Sequence, residues 1–254
     1  MTLPFRSQVA ALAKLALRSA LSSRIASGPF AGMKYVSRSH ASALGAKLVG
    51  TYELELHETI RAITSLNISN FVDIGAAEGY YAVGLLLNCN SSTTLVAFEA
   101  GLSGQRLCGE LAELNGVASR MRVRGFCSPE SLNDELQSGE DPALVLCDTE
   151  GFEATLLDPA VVRGLQTAYV LVELHDFAVA GVGELLRERF RTTHRIVEIC
   201  TRARSRRDFP LRSWWFSILP DAAILALMAE HRGREMSWLW MTPDIVGRKP
   251  TKHF

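Results

Sequence analysis

The chain reads Phe71-Val72-Asp73-Ile74-Gly75-Ala76-Ala77-Glu78-Gly79-Tyr80-Tyr81, an apolar run that enters a turn of small residues and then a helical pattern. Small side chains let a ligand approach the backbone of such a turn, and the first residues of the following helix offer free N–H groups. The stretch therefore predicts a site for a nucleotide-like ligand, although a turn of small residues after a strand also occurs for structural reasons alone.

The turn differs from the dinucleotide fingerprint GxGxxG, which would place glycine at Tyr80 and small residues throughout. Glu78 lies inside the turn, and we expect its carboxylate to repel a pyrophosphate. A sulfonium with an amino-acid group would meet no such repulsion. The turn therefore favours S-adenosylmethionine over NAD.

From about residue 70, short β-branched runs alternate with helical runs, which is the pattern of a parallel sheet with crossover helices. The first five predicted strands span 71–74, 94–98, 120–124, 144–147 and 169–173. Helical stretches near 80–87, 103–114, 129–137, 152–157 and 182–190 separate or follow them. Five such units in a row predict a doubly wound α/β fold. Two later runs, 195–200 and 237–241, predict a closing antiparallel pair with an insertion over about 202–235.

Length and composition agree with one such domain and an appendage. The chain has 254 residues, 48% of them apolar, and its 27 basic and 27 acidic residues leave no net charge, so nonspecific attraction of nucleic acid is not expected. Five cysteines without a CxxC pair argue against disulfides and structural zinc. Apolar stretches such as 222–229 are far shorter than the ~20 residues of a membrane span. We therefore expect a soluble cytoplasmic protein.

The N-terminal segment has a different character, because its seven lysines and arginines are followed by the first acidic residue only at Glu53. Apolar residues recur at helical spacing over 9–21, with Lys14 and Arg18 on another face, which predicts a basic amphipathic helix. This helix could dock on the main domain, bind a membrane surface or a partner, or belong to an organellar transit peptide. We expect a helical extension over 1–50 and one domain over 51–254.

Residues that follow the second and third strands add to the predicted nucleotide site. Glu99 comes about twenty residues after Gly79, where a carboxylate can accept hydrogen bonds from both hydroxyls of a ribose. An isolated acid at a strand end is more often simply solvated, but the preceding turn favours the ribose. Phe126 and Cys127 follow the third strand, where a nucleoside base could lie, although Phe126 could equally be a core residue.

Acidic residues and a histidine follow the next two strands. Asp148, Glu150 and Glu153 are crowded after the fourth strand. Such crowding is costly unless the carboxylates bind cations or polar groups, and helix capping explains only one of them. Glu173 and His175 lie two residues apart at the end of the fifth strand and so point to the same side. We expect both groups at one edge of the sheet.

Four elements resemble, in order and spacing, the FkbM-type class I S-adenosylmethionine-dependent methyltransferases: Val72-Asp73-Ile74-Gly75-Ala76, Glu99, Asp148-Thr149-Glu150-Gly151-Phe152-Glu153 and Val172-Glu173-Leu174-His175. The third matches the D-x-E-G-x-E signature of that family and is the most specific. Gly50-Thr51-Tyr52-Glu53-Leu54-Glu55 also resembles the Tyr-Glu element that precedes the nucleotide turn there. The departures are Ala77, where the wider superfamily often has glycine, and Glu78.

The resemblance implies a Rossmann-like, doubly wound fold with a mostly parallel seven-stranded sheet whose last strand is antiparallel. It also implies S-adenosylmethionine as cofactor and methyl transfer, usually to a hydroxyl of a small molecule or sugar. The implied cofactor residues are Glu53, Asp73, Gly75, Ala76, Ala77, Glu78, Gly79, Glu99, Ala100, Phe126, Cys127 and Asp148. Among them, Glu99 would hold the ribose, Phe126 and Cys127 would flank adenine, and Asp148 would lie nearest the methyl donor.

The catalytic residues that we expect are Asp148, Glu150, Glu173 and His175. A hydroxyl acceptor must lose its proton, and His175 is the first candidate for the general base because the ordinary pKa of histidine, ~6.5, lies near operating pH. Glu150 and Glu173 would orient it or bind the acceptor. Two alternatives are a structural rim histidine and a divalent metal on the same four residues. The spacing is not a recognised ligand motif, so we expect no metal.

The predicted insertion contains a basic run of Arg202, Arg204, Arg206 and Arg207, followed by Trp214 and Trp215. The run could bind a phosphorylated, carboxylated or sugar-bearing acceptor, or RNA, but most such runs are solvated faces. We expect a small-molecule or glycan acceptor and no nucleic acid. Two other functions stay open: a non-catalytic binding module on the same fold and an NAD-dependent oxidoreductase.

Overall fold

The computed structural model describes residues 24–35, 43–137, 142–212, 214–230, 232 and 234–244. The predicted N-terminal helix over 9–21 lies outside these residues. Within them, seven strands form one sheet in the order β3-β2-β1-β4-β5-β7-β6. The strands are β1 (Asn70–Ile74), β2 (Thr94–Phe98), β3 (Met121–Arg124), β4 (Leu144–Cys147), β5 (Tyr169–Leu174), β6 (His194–Cys200) and β7 (Ser237–Pro243).

The first five strands are parallel, and β7 is antiparallel to both of its neighbours, β5 and β6. Strand β1 lies between β2 and β4. The chain builds the sheet outward from β1 to β3 on one side and then returns to start β4 on the other. Ligands of open α/β sheets bind beyond the carboxyl ends of the strands at such a reversal, so the topology predicts a ligand site at the ends of β1 and β4.

Helices connect the strands and cover both faces of the sheet. They are α1 (Leu44–Val49), α2 (His57–Ser65), α3 (Tyr80–Asn88), α4 (Leu102–Leu114), α5 (Pro129–Gln137), α6 (Glu153–Leu156), α7 (Val182–Phe190), α8 (Trp214–Ser217) and α9 (Asp221–Leu227). Alternate strand residues enter two separate apolar clusters: Phe71 packs with α2, α3 and α4, whereas Val72 and Ile74 pack with α5, α6 and α7. Side chains of successive strand residues point to opposite faces, so a two-sided core requires the near-continuous apolar runs seen in the sequence.

The predicted fold class is confirmed. All seven predicted strands and all five predicted helices occur, with ends that differ by one or two residues. The expected antiparallel pair is β6 with β7, and residues 201–236 connect these two strands. Helices α1, α2, α8 and α9 were not predicted.

The described part of the N-terminal extension packs in the main core. Ile25, Phe30, Met33 and Tyr35 are all buried in the cluster that covers one face of β1. The contact is close, because a Cβ atom at Gly84 of α3 would lie 2.5 Å from the Phe30 ring. These residues therefore do not form a separate unit, and the domain boundary at residue 50 stays a prediction.

Two further sequence expectations concern membranes and thiols. Over the described ranges, no helix combines the length and the apolar character that crossing a membrane requires. All five cysteines are free thiols.

Candidate functional site

A cavity of about 700 Å³ opens beyond the carboxyl ends of β1, β2, β4 and β5. Its volume is usual for a small-molecule site. Most of the predicted site residues line it: Gly75, Ala77, Glu78, Glu99, Ala100, Phe126, Cys127, Asp148, Glu150, Glu173 and His175. The parallel strands explain this assembly, because their carboxyl ends share one edge of the sheet.

Gly75 lets the turn after β1 pass directly over the end of β4. Its φ is +83°, and a Cβ atom there would lie 1.7 Å from the backbone oxygen of Asp148. The N–H groups of Gly75 and Ala76 donate to the carbonyl oxygen of Phe98, at 2.9 and 3.1 Å. The turn is therefore held against both neighbouring strands, and only glycine fits at position 75.

Glu99 lies beside this turn, as predicted. Its Oε2 accepts a hydrogen bond from the Ala77 N–H at 2.9 Å, and its Oε1 accepts one from the Gly101 N–H at 2.7 Å. Helix α4 also approaches closely, because a Cβ atom at Gly104 would lie 2.7 Å from Glu99 Cγ. Each carboxylate oxygen has two lone pairs, so both oxygens keep acceptor capacity for a ligand in the cavity. The carboxylate is thus oriented before any ligand binds.

Glu78 does not present an uncompensated charge to the cavity. Its side chain is fully buried, and Oε1 accepts hydrogen bonds from Lys47 Nζ at 2.6 Å and from the Tyr35 hydroxyl at 2.5 Å. Burial would raise the pKa of Glu78, but the Lys47 charge lowers it below its ordinary value. The expected repulsion of a pyrophosphate by Glu78 is therefore wrong, because Lys47 neutralises that carboxylate.

Phe126 and Cys127 form an apolar wall of the cavity with Phe152. Phe126 is 64% exposed, and its ring centroid lies 5.3 Å from that of Phe152. Cys127 is buried, and burial raises the pKa of its thiol to about 11, so the thiol is uncharged at neutral pH. Phe126 is accordingly an exposed cavity residue and not a core residue.

Asp148, Glu173 and His175 meet at the ends of β4 and β5. His175 Nε2 lies 3.5 Å from Asp148 Oδ1 and 3.8 Å from Glu173 Oε2. One ligand atom from each of the three lies within 4.8 Å of the others, a spacing that a divalent cation could bridge. Burial and then the Asp148 charge raise the pKa of Glu173, and burial raises the pKa of Asp148 as well.

Arg232 compensates this acidic cluster. Its guanidinium makes ion pairs with Glu53, Glu173 and Glu230. It also lies over the Tyr52 ring, 5.7 Å from the centroid. Arg232 therefore already pairs with Glu173, one of the carboxylates that a divalent cation would bind.

His175 is held from behind by Glu153. Its Nδ1 lies 2.7 Å from Glu153 Oε1, which also accepts hydrogen bonds from the N–H groups of Thr149 at 3.3 Å and Gly151 at 3.1 Å. Burial would lower the pKa of His175, but the hydrogen bond to Glu153 and the Asp148 charge raise it. Burial would raise the pKa of Glu153, but the bonds from His175 and the backbone lower it. The buried carboxylate is therefore ionised beside the imidazole.

Four predicted cofactor residues lie outside the cavity lining: Glu53, Asp73, Ala76 and Gly79. Glu53 is fully buried behind the cavity, where it accepts hydrogen bonds from Arg232 and from the Tyr81 hydroxyl. It therefore positions Arg232 and makes no direct contact with the cavity.

The other three of these residues support the turn. Asp73 is buried beneath it, and burial together with the Asp148 charge raises the pKa of Asp73 to about 7. Ala76 is buried as well. Gly79 lies against Cys108, because a Cβ atom there would be 2.8 Å from the sulfur. They shape the site without facing its interior.

The cavity also contains residues that the sequence analysis did not assign: Lys47, Tyr52, Phe152, Phe177, Glu230, Arg232, Arg234 and Met236. Tyr52 and Phe152 belong to elements of the family resemblance and could have been found there, as could Glu153. No local pattern identifies Arg232 or Arg234, because both come from the connection between β6 and β7.

The basic run of that connection is largely neutralised within the protein. The ion pairs join Arg202 to Asp208, Arg204 to Glu55 and Glu230, and Arg206 to Asp221. Arg202 and Arg204 line a smaller cavity of about 450 Å³ that shares Arg232 and Arg234 with the main one. The run is therefore mainly a set of internal ion pairs at the edge of the site.

No protein-family model and no curated protein sequence matches the chain. Solved structures do. A METTL16 MTase domain lacking its N-terminus ("delta-N") is 16% identical, with a TM-score of 0.50 over 93% of this chain and 95% of that one. The METTL16 MTase domain in a second crystal form is 14% identical, with a TM-score of 0.50 over 94% and 82% of the two chains.

An O-methyltransferase from Bacillus cereus in complex with SAH is 12% identical, with a TM-score of 0.49 over 92% and 90% of the two chains. At these identities the similarity concerns the fold. The chain has the Rossmann-like, seven-stranded fold of class I methyltransferases.

Proposed function

We propose that this protein is an S-adenosylmethionine-dependent methyltransferase of the FkbM type that methylates a hydroxyl of a small molecule or sugar. The observation that carries the proposal is the position of Glu99. Its carboxylate is fixed beside the Gly75 turn, at the mouth of an open cavity, and keeps lone pairs for a ribose. The fold shared with methyltransferase domains supports the same function.

Charge in the cavity favours a cationic cofactor. Its acidic residues are Glu78, Glu99, Asp148, Glu150, Glu173 and Glu230, and its permanently basic residues are Lys47, Arg232 and Arg234. Lys47 and Arg232 are already engaged by carboxylates, which leaves little positive charge for a pyrophosphate. A sulfonium is attracted by the excess of carboxylates. This excess replaces the sequence argument from Glu78 as the reason to prefer S-adenosylmethionine to NAD.

The cofactor would lie along the ends of β1, β2 and β4. Glu99 would bind the ribose, and the exposed ring of Phe126 with Cys127 would flank adenine. The backbone of Gly75 and Ala77 would pass close to the methionine part. Asp148 would lie nearest the sulfonium, where its negative charge is favourable.

Methyl transfer to a hydroxyl requires alignment of acceptor and donor and removal of one proton. His175 is the proposed general base, since its Nε2 faces Asp148 and Glu173 at the cavity wall. Glu150 and Glu173 would orient the acceptor. Asp148, Glu150 and Glu173 make this side of the cavity acidic. An uncharged or cationic acceptor without a carboxylate therefore suits it better than nucleic acid, whose phosphates these residues would repel.

The decisive experiment incubates the purified protein with methyl-labelled S-adenosylmethionine and a panel of small alcohols, phenols and sugars. We expect release of S-adenosylhomocysteine together with a labelled ether product. Binding of S-adenosylmethionine by titration calorimetry without product from any acceptor would support the non-catalytic module instead. Tighter binding of NAD than of S-adenosylhomocysteine would overturn the proposal in favour of an oxidoreductase.

Location and domain limits complete the proposal. Five free thiols support a reducing compartment, and we propose the cytoplasm. The methyltransferase domain would span 51–254, with an insertion over about 202–235, and 1–50 would be an extension whose described residues pack on that domain and whose predicted helix over 9–21 contacts a membrane surface or a partner.

A further inference from the structure

We infer that Glu153 is the positioning residue that holds the proton of His175 on Nδ1, so that in the neutral ring Nε2 is unprotonated and faces the cavity. The role of this tautomer in catalysis rests on the proposed function. The position of the proton on the His175 ring does not, because it depends only on contacts within the protein. Glu153 is not among the residues that we expected to act in catalysis. Its position is defined by the turn after β4 and by β5.

Two backbone N–H groups hold the carboxylate of Glu153 in one orientation. Its Oε1 accepts hydrogen bonds from the backbone N–H groups of Thr149 and Gly151, and it is fully buried at the start of α6. The turn that presents these donors has two residues with positive φ, Glu150 at +52° and Gly151 at +120°. Backbone donors that converge on one oxygen stabilise the ionised form of a carboxylate and prevent its rotation.

An ionised Glu153 determines which nitrogen of His175 carries the proton. Nδ1 lies 2.7 Å from Glu153 Oε1, so it must donate, because two lone pairs at that distance would repel each other. In the neutral ring the other nitrogen, Nε2, is then an acceptor. Nε2 makes no hydrogen bond to any described residue, and its neighbours on the cavity side are Asp148 Oδ1 at 3.5 Å and Glu173 Oε2 at 3.8 Å.

Carboxylates from three elements surround His175, and the basic side chains of the same cavity, Arg232 and Arg234, lie against Glu173 and the Phe177 ring. Asp148 and Glu150 follow β4, Glu153 begins α6, and Glu173 belongs to β5. The Phe177 ring packs edge-on against the imidazole, with centroids 5.5 Å apart. Asp148 and Glu150 stabilise a positive charge on the ring, but among the described residues only Glu153 contacts Nδ1 and thereby selects the tautomer.

The consequence for methyl transfer is a defined path for the proton. As the acceptor oxygen forms its bond to the methyl carbon, the bond from that carbon to sulfur breaks and its electron pair goes to sulfur. The hydroxyl proton goes to Nε2, which produces an imidazolium whose Nδ1–H is still bonded to Glu153. With the opposite tautomer Nε2 would already carry a proton and could not act as the base.

The test uses nitrogen-15 NMR of the histidine rings, with the His175 signals assigned by their absence in His175→Asn. In the wild type, at a pH where the ring is neutral, we expect protonated Nδ1 and unprotonated Nε2. In Glu153→Gln the amide oxygen can replace Oε1 as the acceptor for Nδ1–H and for the two backbone N–H groups, so we expect the wild-type tautomer. In Glu153→Leu no acceptor is left for Nδ1–H, so we expect the preference for that tautomer to be lost and the form with its proton on Nε2 to be populated. In Glu153→Asp the charge is retained, and we expect the wild-type tautomer.

Glu184→Leu is the matched control, because it makes the same change on an α7 side chain that is 85% exposed. It should leave the His175 signals unchanged. Circular dichroism establishes whether each variant is folded. A wild-type ring with its proton on Nε2 overturns the inference without any variant, as does an unchanged tautomer in folded Glu153→Leu.

Once an acceptor is known, Glu153→Leu should lower turnover about 100-fold with nearly unchanged affinity for S-adenosylmethionine, and Glu153→Asp should keep more of the turnover than Glu153→Leu. The NMR experiment needs no acceptor and no cofactor. Failure of the proposed function would therefore leave the tautomer result intact, and failure of the tautomer result would leave the proposed function intact.

Discussion

The two sides of the cavity are built in different ways. On the side of β1 and β2, Glu99 accepts hydrogen bonds from backbone N–H groups that are 2 and 22 residues away along the chain. On the side of β4 and β5, Arg232 reaches Glu173 and Glu53 across 59 and 179 residues. The first side depends on the geometry of one turn, and the second depends on a balance of buried charges.

This difference predicts different responses to substitution. Steric changes should disrupt the turn, with little dependence on pH, because the clash is between an added carbon and a backbone oxygen, neither of which titrates. Charge changes should disrupt the ends of β4 and β5, with a strong dependence on pH, because the stability of buried carboxylates follows their ionisation. Four substitutions test this contrast, beginning with the one expected to have the largest effect.

Gly75→Ala should lower the free energy of unfolding by about 4 kcal/mol or prevent folding, because the added Cβ would lie 1.7 Å from a backbone oxygen at a φ of +83°. Urea denaturation at pH 6 and pH 8 measures the loss, which should be similar at both. Gly109→Ala, in α4 with open space around it, is the control and should stabilise by ~0.5 to 1 kcal/mol. A loss below 1 kcal/mol in Gly75→Ala would show that the turn can move away from β4.

Arg232→Met should lower the free energy of unfolding by about 3 kcal/mol at pH 8, because it leaves Glu53 and Glu173 buried without their cation. Burial raises the pKa of Glu53 to about 7 and, with the Asp148 charge, raises that of Glu173 as well. A carboxyl with a raised pKa destabilises the folded state when it must ionise, so the loss should shrink as the pH falls towards 5.

Arg234→Met is the matched control for this substitution. Arg234 contacts the Phe177 ring at 4.6 Å and makes no ion pair with any residue that the structure describes. Its replacement should cost less than ~1 kcal/mol and show no comparable pH dependence. Equal losses in the two variants would contradict the charge balance that we attribute to Arg232.

His175→Ala should lower turnover by ~100-fold or more and leave cofactor affinity nearly unchanged. The base must be neutral to accept a proton, and the pKa of His175 is raised above its ordinary value. The wild-type rate should therefore fall as the pH drops through a value above 6.5. Turnover retained in the variant would assign His175 a structural role only.

Glu99→Ala should weaken binding of S-adenosylmethionine by roughly 1 to 3 kcal/mol, through lost hydrogen bonds to the ribose. Titration calorimetry measures the change. Glu99→Gln keeps an acceptor for the Ala77 N–H and so separates loss of the ligand contact from loss of the turn. Unchanged affinity in Glu99→Ala would remove this carboxylate from the cofactor site.

Most of the fold could be predicted because its signals are local. Apolar runs of four to six residues, separated by amphipathic helical patterns, identified every strand of the sheet within one or two residues. Helix α1 was missed because the basic N-terminal segment was interpreted as a separate extension, whereas Leu48 and Val49 are buried in the main core. Helix α2 precedes the first predicted strand, in a stretch to which no element was assigned. Helices α8 and α9 are short and lie in the connection between β6 and β7.

The candidate site was predictable where residues follow parallel strands directly. Glu99, Asp148 and His175 line the cavity because strand ends share one edge. Asp73 and Glu53 were assigned from the resemblance, yet both are buried away from the ligand space. A residue next to a motif in the sequence lies near the ligand site, but whether its side chain points into that site depends on the residues that pack around it.

By itself the sequence determined the strands, the sharp turn at Gly75 and the acidic character of the sheet edge, because all three follow from the spacing and chemistry of neighbouring residues. Tertiary structure alone decided that Lys47 neutralises Glu78, that Arg232 neutralises Glu53 and Glu173, and that Glu153 contacts Nδ1 of His175. Coulombic and hydrogen-bond energies depend on distances of a few ångströms between side chains. Such distances between residues far apart in the chain are set by packing and are not encoded in any local pattern.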